Sequence, residues 1–194
     1  MTTGSVSPRR ADTRRNHERI LAVAAESLAG SGEVSFNAIA RKAEVGVGTV
    51  YRHFPTPEAL ILAVYQREVR HLVDVVPSLL EHHTPEQAFR SWTTDHLAHY
   101  MMTKRGLANA LRTATASRGE LPASAYDAMV GAVASLLRAN VRAGTVRADL
   151  NPETVLRALG GLLHLDPNDD WRTRTADLTD LLWRGMHVTD PNQT

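Results

Sequence analysis

Residues 35–54 read Ser-Phe-Asn-Ala-Ile-Ala-Arg-Lys-Ala-Glu-Val-Gly-Val-Gly-Thr-Val-Tyr-Arg-His-Phe. Their spacing predicts two short helices, at about 35–42 and 47–53, joined by a tight turn at Glu44-Val45-Gly46. An apolar face runs through both helices and the turn, and its predicted inward residues are Phe36, Ile39, Ala40, Ala43, Val50 and Phe54. Two short helices joined in this way form a helix-turn-helix unit, whose second helix enters the major groove of DNA.

The second of these helices also has a polar face, formed by Thr49, Tyr51, Arg52 and His53. Side chains of these types reach phosphates and base edges in a groove. Gly46 and Gly48 keep the start of the helix slim, so that backbone amides can approach a phosphate. Two alternatives remain: Tyr51 and Phe54 are core aromatics, or His53 caps the helix C-terminus instead of contacting DNA.

The composition excludes several other classes of protein. The 194 residues carry 22 Lys and Arg against 21 Asp and Glu, a net charge of +1, and no cysteine. Without cysteine there is no disulfide scaffold, thiolate zinc finger, iron–sulfur cluster or cysteine nucleophile. No apolar run reaches the roughly 18 residues of a membrane span, and the polar start lacks the apolar stretch of a signal peptide. We therefore expect a cytoplasmic protein with no membrane partner.

Charge is unevenly distributed along the chain. Residues 1–55 carry eight bases and five acids, a balance of +3, whereas the remainder has a balance of −2. A basic first quarter is typical of a region that meets phosphate. Four arginines at positions 9, 10, 14 and 15 lie at the start of the first predicted helix. They form either an arm that reaches DNA or a solvated face.

Recurrent helix-capping motifs in the sequence predict an all-α fold. Thr56-Pro57-Glu58, Thr84-Pro85-Glu86 and Asn151-Pro152-Glu153 each supply a capping oxygen, a proline for the first turn and an acid for the helix dipole. There is no run of β alternation. The predicted helices are 10–30, 35–42, 47–53, 57–79, 85–103, 105–117, 122–143, 152–165 and 170–187.

These helices divide the chain into five predicted parts. They are a disordered arm (1–9), a helix-turn-helix DNA-binding domain (10–55), a connecting helix (56–79), a ligand-binding and dimerisation domain (80–188) and a tail (189–194).

Two further patterns do not form sites. Gly46-Val47-Gly48-Thr49 lacks the Lys-Ser/Thr of a nucleotide-binding loop and follows a helix instead of a strand. His96 and His99 are spaced on one helix as metal ligands would be, with Asp95 beside them, but no further ligand is evident. We therefore predict no catalytic residue, no metal and no cofactor, and hence a protein that is not an enzyme.

One run of residues is specific to a known family. Gly48-Thr49-Val50-Tyr51-Arg52-His53-Phe54, followed by Glu58-Ala59-Leu60, resembles the DNA-binding domain of TetR-family transcriptional regulators. The resemblance covers about residues 10–65. It implies an all-helical homodimer in which a three-helix DNA-binding domain precedes a larger helical ligand-binding and dimerisation domain. It also implies binding to a palindromic double-stranded operator, usually as a repressor that a small ligand releases.

The residues predicted to bind DNA are Ser35, Val47, Gly48, Thr49, Tyr51, Arg52 and His53. Many relatives have Ser-Lys where this chain has Gly46-Val47, so a cap and a positive charge are missing. Val47 can instead touch a thymine methyl group. Arg52 occupies a position often filled by Tyr, and pairs either with guanine or with phosphate.

The predicted helix at 85–103 carries an aromatic stripe. The stripe is either ordinary core or one wall of a pocket for a small apolar or amphipathic effector. The residues predicted to contact the effector are Phe89, Trp92, His96, Tyr100, Met101, Leu107, Leu111, Met129 and Val133.

The last two predicted helices carry apolar stripes and the pair Gly160-Gly161, which would allow a partner helix to approach closely. A reader of palindromic DNA needs a dimer with a fixed spacing between its reading heads. The predicted dimer residues are Leu156, Leu159, Gly160, Leu163, Leu178, Leu181, Leu182 and Met186. Alternatively, both stripes belong to the core of one protomer. A second functional hypothesis is a small-molecule-binding or partner-controlled protein whose helix-turn-helix is not ligand-regulated.

Overall fold

The structure, a computed structural model, describes residues 8–30, 33–115 and 123–187. The α-helices within these ranges are α1 (Pro8–Gly30), α2 (Phe36–Lys42), α3 (Val47–His53), α4 (Pro57–His82), α5 (Pro85–Ser91), α6 (His99–Thr103), α7 (Arg105–Thr115), α8 (Ala123–Arg142), α9 (Pro152–Leu159) and α10 (Trp171–Met186). The described residues contain no strand, only an isolated antiparallel bridge between Val146 and His187. The predicted all-α class is confirmed.

Two of the predicted helices change type along their length. The predicted helix 85–103 is α-helical at both ends but π-helical over Trp92–Ala98, and the predicted helix 152–165 ends in a 3₁₀ segment, Gly160–His164. α1 begins at Pro8, two residues before the predicted start. The predicted disordered arm otherwise lies outside the described residues, as does the predicted tail.

Local caps explain where several helices begin. Thr84 and Gln87 form a reciprocal capping box: the Thr84 hydroxyl accepts from the Gln87 amide at 3.3 Å, and the Gln87 side-chain oxygen accepts from the Thr84 amide at 3.2 Å. At α9, the Asn151 side chain accepts from the amides of Glu153 and Thr154. Each cap satisfies amides that the first turn leaves unpaired, so these starts are encoded within four residues.

The chain forms two compact units. The first unit comprises residues 1–67 and 104–120, and the second comprises residues 68–103 and 121–194. In the first unit, α1 contacts α2 and α7, and α2 contacts α3. α7, which lies within the predicted ligand-binding and dimerisation domain (80–188), thus packs with α1.

The second unit is built around the stretch from α5 to α6. α5 packs against α8, α8 packs against α9, and the π-helical segment packs against α10. Trp92 is fully buried here, and its indole N–H donates to the Leu72 carbonyl at 2.8 Å. None of the described helices is both long enough and apolar enough to cross a bilayer.

Candidate nucleic-acid interface

The turn between α2 and α3 is made by Glu44. The Val45 amide donates to the Ala40 carbonyl at 3.0 Å and the Glu44 amide donates to the Arg41 carbonyl at 3.3 Å, the paired bonds of a Schellman motif. Glu44 has φ +52°, in the left-handed region that glycine usually occupies. Gly46, the last residue of the predicted turn, precedes α3 with φ −67°.

The apolar side of this unit is packed as predicted. Phe36, Ile39, Ala40, Ala43, Val50 and Phe54 are all buried. Val50 is fully enclosed, so α3 is held against the core by its middle residue. Phe54 ends α3, and its amide donates to the Val50 carbonyl at 2.8 Å. The inward prediction is therefore confirmed for all six residues.

The outward side of α3 exposes apolar as well as charged groups. Val47 is 40% exposed and Tyr51 is 54% exposed. Gly48 and Arg52 are also exposed, whereas Thr49 is half-buried. Val47 and Tyr51 stand four residues apart and therefore lie on one helix face. Large exposed apolar side chains are few in the described part of the chain, and the others are Leu178 and Leu181 on α10.

Tyr51 is held by a ring contact. Its ring meets the buried Phe36 ring of α2 edge to face, with centroids 4.8 Å apart and planes at 64°. Such a pair stabilises by about 0.5–1.5 kcal/mol beyond burial. One part of the Tyr51 ring therefore packs on the core while the residue remains more than half exposed, and its contact with DNA stays a prediction.

His53 lies in a small aromatic cluster. Its ring centroid is 5.4 Å from that of His17 on α1 and 6.2 Å from that of Phe54, and the His17 ring stacks on Phe54 at 5.0 Å. Partial burial, followed by the charges of His17 and Arg52, lowers the pKa of His53. His53 is thus half-buried and favours the neutral form. His17 was absent from the predicted site because 36 residues separate the two histidines and no local pattern connects them.

The start of α3 is open to the approach of another molecule. A methyl group added at Gly48 would meet no atom of the protein within 4 Å. Packing within the protein therefore does not require glycine here. The first amides of an α-helix have no partner within the helix and favour anions. Nearby, Ser35 is exposed and caps α2, its hydroxyl accepting from the Ala38 amide at 3.4 Å.

The described arginines near the start of α1 are exposed. Arg14 and Arg15 both face solvent, and Arg15 is paired with Asp12. Arg19 donates to the Asn16 side chain at 3.0 Å. The side chains at positions 9 and 10 lie outside the described residues, so both interpretations of this arginine group remain.

The residues predicted to contact an effector differ in burial. Phe89, Trp92, Met129 and Val133 are buried in the second unit, and Leu107 and Leu111 are buried on α7 of the first unit. His96, Tyr100 and Met101 are half-buried. Burial is the main cause that lowers the pKa of His96 below its ordinary value. Among the described residues, no three His, Asp or Glu side chains converge as a metal site would require.

Five of the eight residues predicted at the dimer interface line an apolar groove of about 390 Å³ between the α9 region and α10. Leu159, Leu178, Leu181, Leu182 and Met186 line this groove, together with Gly161. Leu181 is 70% exposed and Leu178 is 39% exposed, whereas Leu159 and Met186 are already buried within the protomer. Leu156 and Gly160 are half-buried, and the Leu163 side chain lies outside the described residues.

Two family models match this chain. The model described as "Bacterial regulatory proteins, tetR family" matches residues 20–64. The model described as "Transcriptional regulator SbtR-like, C-terminal domain" matches residues 84–188, more than half of the chain. The chain belongs to the TetR family. TetR-family regulators are DNA-binding transcriptional repressors that bind DNA as dimers and are often ligand-regulated. Membership implies a regulator and not an enzyme.

Solved structures agree with the family. A TetR transcriptional regulator of Streptomyces coelicolor is 36% identical, with 90% of this chain and 99% of that chain covered and a TM-score of 0.74. A TetR regulatory protein of Mycobacterium vanbaalenii is 34% identical, with 93% and 100% covered and a TM-score of 0.69. Thermus thermophilus FadR, solved in complex with lauroyl-CoA, is 23% identical, with 92% and 98% covered and a TM-score of 0.63, and shares the fold. No curated protein matches the chain.

Proposed function

We propose that this TetR-family regulator is a cytoplasmic repressor that binds a palindromic operator as a homodimer and is released by a small effector. The observation that carries the proposal is the division of α3 into a buried side, at Val50, and an exposed side with Val47, Tyr51 and Arg52. A helix fixed on one side and exposed on the other is what groove reading requires.

The predicted DNA contacts have distinct roles in this proposal. Arg52 pairs with a guanine edge or a phosphate, and Val47 meets a thymine methyl group. The amide of Gly48 and the start of α2 at Ser35 meet phosphates, which fix register but carry no sequence information. Thr49, Tyr51 and His53 complete the surface, with His53 acting as a neutral hydrogen-bonding group.

DNA binding is tested by fluorescence anisotropy with the region upstream of the protein's own gene, across a salt series. We expect a salt-dependent, sequence-specific complex that Arg52→Ala weakens about 10-fold or more, since one base contact is worth about 1–3 kcal/mol. Arg138→Ala is the matched control, because Arg138 is an exposed arginine on α8. Equal binding to upstream and scrambled DNA contradicts the proposal.

The groove beside α10 supports the dimer surface. Leu178 and Leu181 expose apolar area along one side of α10, and a second copy of this chain would cover it across a two-fold axis. Leu181→Glu is expected to raise the dimer dissociation constant about 100-fold or more. The two-fold axis repeats the substitution in both protomers, so the interface would bury two carboxylates. Arg184→Glu places the same charge elsewhere on α10 and should leave the dimer intact, as measured by sedimentation. A dimeric Leu181→Glu protein excludes this surface.

The effector belongs to the second unit in this proposal. The half-buried His96, Tyr100 and Met101 are the predicted contacts that a ligand can reach without opening the core. FadR of T. thermophilus contains lauroyl-CoA, so one protein of this fold holds a small amphipathic molecule. Effector binding must stabilise a non-binding arrangement more than the DNA-binding one to release the operator.

One observation favours control by a partner or by abundance. Phe89 and Trp92 are fully buried, and the bonded indole of Trp92 leaves that part of the aromatic stripe filled by the protein itself. Operator-bound protein incubated with host cell metabolites separates the two functions. Release by a fraction that contains only small molecules supports effector control, and release only by a macromolecular fraction supports a partner.

A further inference from the structure

The inner face of α10 carries buried polar groups without partners. Thr175, Thr179 and Trp183 lie one helical turn apart and are at most 2% exposed. The two hydroxyls and the indole N–H have no hydrogen-bond partner among the described residues. An unpaired buried polar group costs about 1–3 kcal/mol, so such groups in native proteins require an explanation.

Threonine hydroxyls and a tryptophan N–H have hydrogen-bond partners elsewhere in this unit. The hydroxyl of buried Thr93 donates to the Phe89 carbonyl at 2.9 Å, and that of Thr94 donates to the Arg90 carbonyl at 3.0 Å. The indole of Trp92 is also bonded. A helix normally offers a threonine hydroxyl the carbonyl four residues earlier. The unpaired hydroxyls of α10 are therefore exceptional within this unit.

Thr179 lines the apolar groove between the α9 region and α10, whereas Thr175 lines a separate cleft of about 440 Å³. This cleft, here called the α10 cleft, lies between the start of α10 and the π-helical segment and its continuation into α6. Its volume is within the range of small-molecule sites. π-Helical segments are rare and frequently occur at functional sites. The polar and aromatic residues that line the cleft are Thr94, Asp95, His99, Trp171, Arg172 and Thr175.

The lining of the α10 cleft combines aromatic rings with two opposite charges. The rings of His99 and Trp171 are 6.5 Å apart, and the Arg172 guanidinium lies 4.5 Å from the centre of the Trp171 ring. The Asp95 carboxylate accepts from Ser91 at 2.8 Å. It also lies 3.0 Å from the Thr94 hydroxyl, whose single proton is shared with the Arg90 carbonyl, and it has lone pairs to spare. The Asp95 carboxylate would repel an anion, and the Arg172 guanidinium would repel a cation. The lining therefore favours a neutral molecule.

We propose that the α10 cleft binds a small, neutral, planar aromatic molecule that carries a hydroxyl group. Its ring packs against Trp171 and His99, and its hydroxyl pairs with the Thr175 hydroxyl and the Asp95 carboxylate. This inference rests on the proposed function in one respect, because it supplies the effector class of the regulator. It places the effector beside α10, at the lining of the cleft instead of at His96, Tyr100 and Met101.

Calorimetric titration of the full-length protein with 4-methylphenol tests the cleft directly. p-Xylene is the control of the same shape without the hydroxyl, and 4-methylbenzoate is the anionic control. We expect 4-methylphenol to bind at least 10-fold more tightly than either. Equal binding of p-xylene, tighter binding of 4-methylbenzoate, or no binding of 4-methylphenol overturns the proposal.

Variants of the same shape separate binding from stability. Thr175→Val removes an unpartnered hydroxyl, so it should raise Tm by about 2–6 °C while 4-methylphenol loses its advantage over p-xylene. Thr179→Val removes an equally buried hydroxyl outside the cleft and should keep that advantage. Thr93→Val removes a bonded hydroxyl and should lower Tm. A fall in Tm for Thr175→Val shows a structural hydroxyl and overturns the proposal.

Operator binding, measured in parallel, separates the two proposals. If the wild-type protein binds 4-methylphenol but no operator, the regulatory function fails and the cleft stands. If it binds an operator but not 4-methylphenol, only the cleft fails.

Discussion

The Phe36 and Tyr51 rings meet edge to face, 4.8 Å apart, and join the first helix of the helix-turn-helix to the exposed face of the second. Phe36 is 7% exposed whereas Tyr51 is 54% exposed, so a core residue orients a surface residue. The direction of the exposed Tyr51 ring is consequently set by packing within the helix-turn-helix.

A double-mutant cycle on this pair measures its contribution to stability. We expect Phe36→Leu and Tyr51→Ala to couple by about 0.5–1.5 kcal/mol in the free energy of unfolding. Phe36→Leu alone should also weaken operator binding several-fold, since Tyr51 loses its support. Coupling near zero, measured by urea unfolding of the four proteins, would show that the ring contact does not hold Tyr51.

Gly48→Ala separates stability from DNA binding. Alanine suits a helix better than glycine by up to about 1 kcal/mol, and the added methyl meets no atom of the protein, so Tm should rise or stay unchanged. Operator affinity should fall about 10-fold, because the methyl group keeps the backbone from the phosphate. Gly131→Ala on α8, also in open space, is the control and should leave affinity unchanged. Unaltered affinity of Gly48→Ala argues against close approach at this position.

The apolar contact of Val47 can be tested from the DNA side. Replacing the thymines of a selected half-site one at a time by deoxyuridine removes only a methyl group. One replacement should weaken wild-type binding about 3- to 10-fold, the value of burying one methyl group. Val47→Ala should bind the thymine and deoxyuridine sites alike. A deoxyuridine effect that persists in Val47→Ala assigns the methyl group to another side chain.

Stability should fall as the solution is acidified below pH 6.5. The pKa of His53 and that of His96 are both lowered by burial, so below pH 6.5 the unfolded chain binds protons before the folded chain does. His53→Gln and His96→Gln should each reduce the fall in Tm between pH 7 and the acid side of this window. His164→Gln, at an exposed position, is the control. An unchanged pH dependence in both variants rules out these two histidines as its source.

Two residues in the described part of the chain, Glu44 and Gly144, have a left-handed backbone and give opposite predictions. Glu44→Gly should stabilise by about 0.5–1 kcal/mol, because φ +52° strains a residue with a side chain. Its ion pair with Arg19, at 4.0 Å and exposed, contributes little. Gly144→Ala, at φ +71°, should destabilise by about 1 kcal/mol. Chemical unfolding curves that move in the same direction for both variants contradict this account.

The helix-turn-helix and most helix boundaries were predictable because their causes are local. Thr84 and Gln87 stand three residues apart, and Val50 and Phe54 stand four apart, so spacing alone indicates a cap and a buried side. The exposed side of α3 was predictable for the same reason, since its members are neighbours on a seven-residue helix, and its contact with DNA stays a prediction.

The remaining features depend on contacts between distant segments. Arg90 bonds both Glu86 on its own helix and Asp180, which lies 90 residues away on α10. Its guanidinium lies 5.4 Å from the centre of the Trp183 ring, and no periodicity predicts such a contact. The periodicity of Phe89 and Trp92 likewise predicted a buried face but not what fills it. The left-handed backbone of Glu44 could not be predicted either, because sequence rules assign that conformation to glycine.

α10 presents different surfaces on its several sides. Leu178 and Leu181 lie on the apolar exposed side, Thr175 lies at the cleft, and Asp180 is held by Arg90. If the first side meets a second protomer and the cleft receives an effector, one rigid helix serves both sites. Occupying one cleft would then change the affinity of the other, and the effector dose response would be steeper than a hyperbola. Cooperativity between protomers would follow because the same sixteen-residue helix forms both the dimer surface and the effector site.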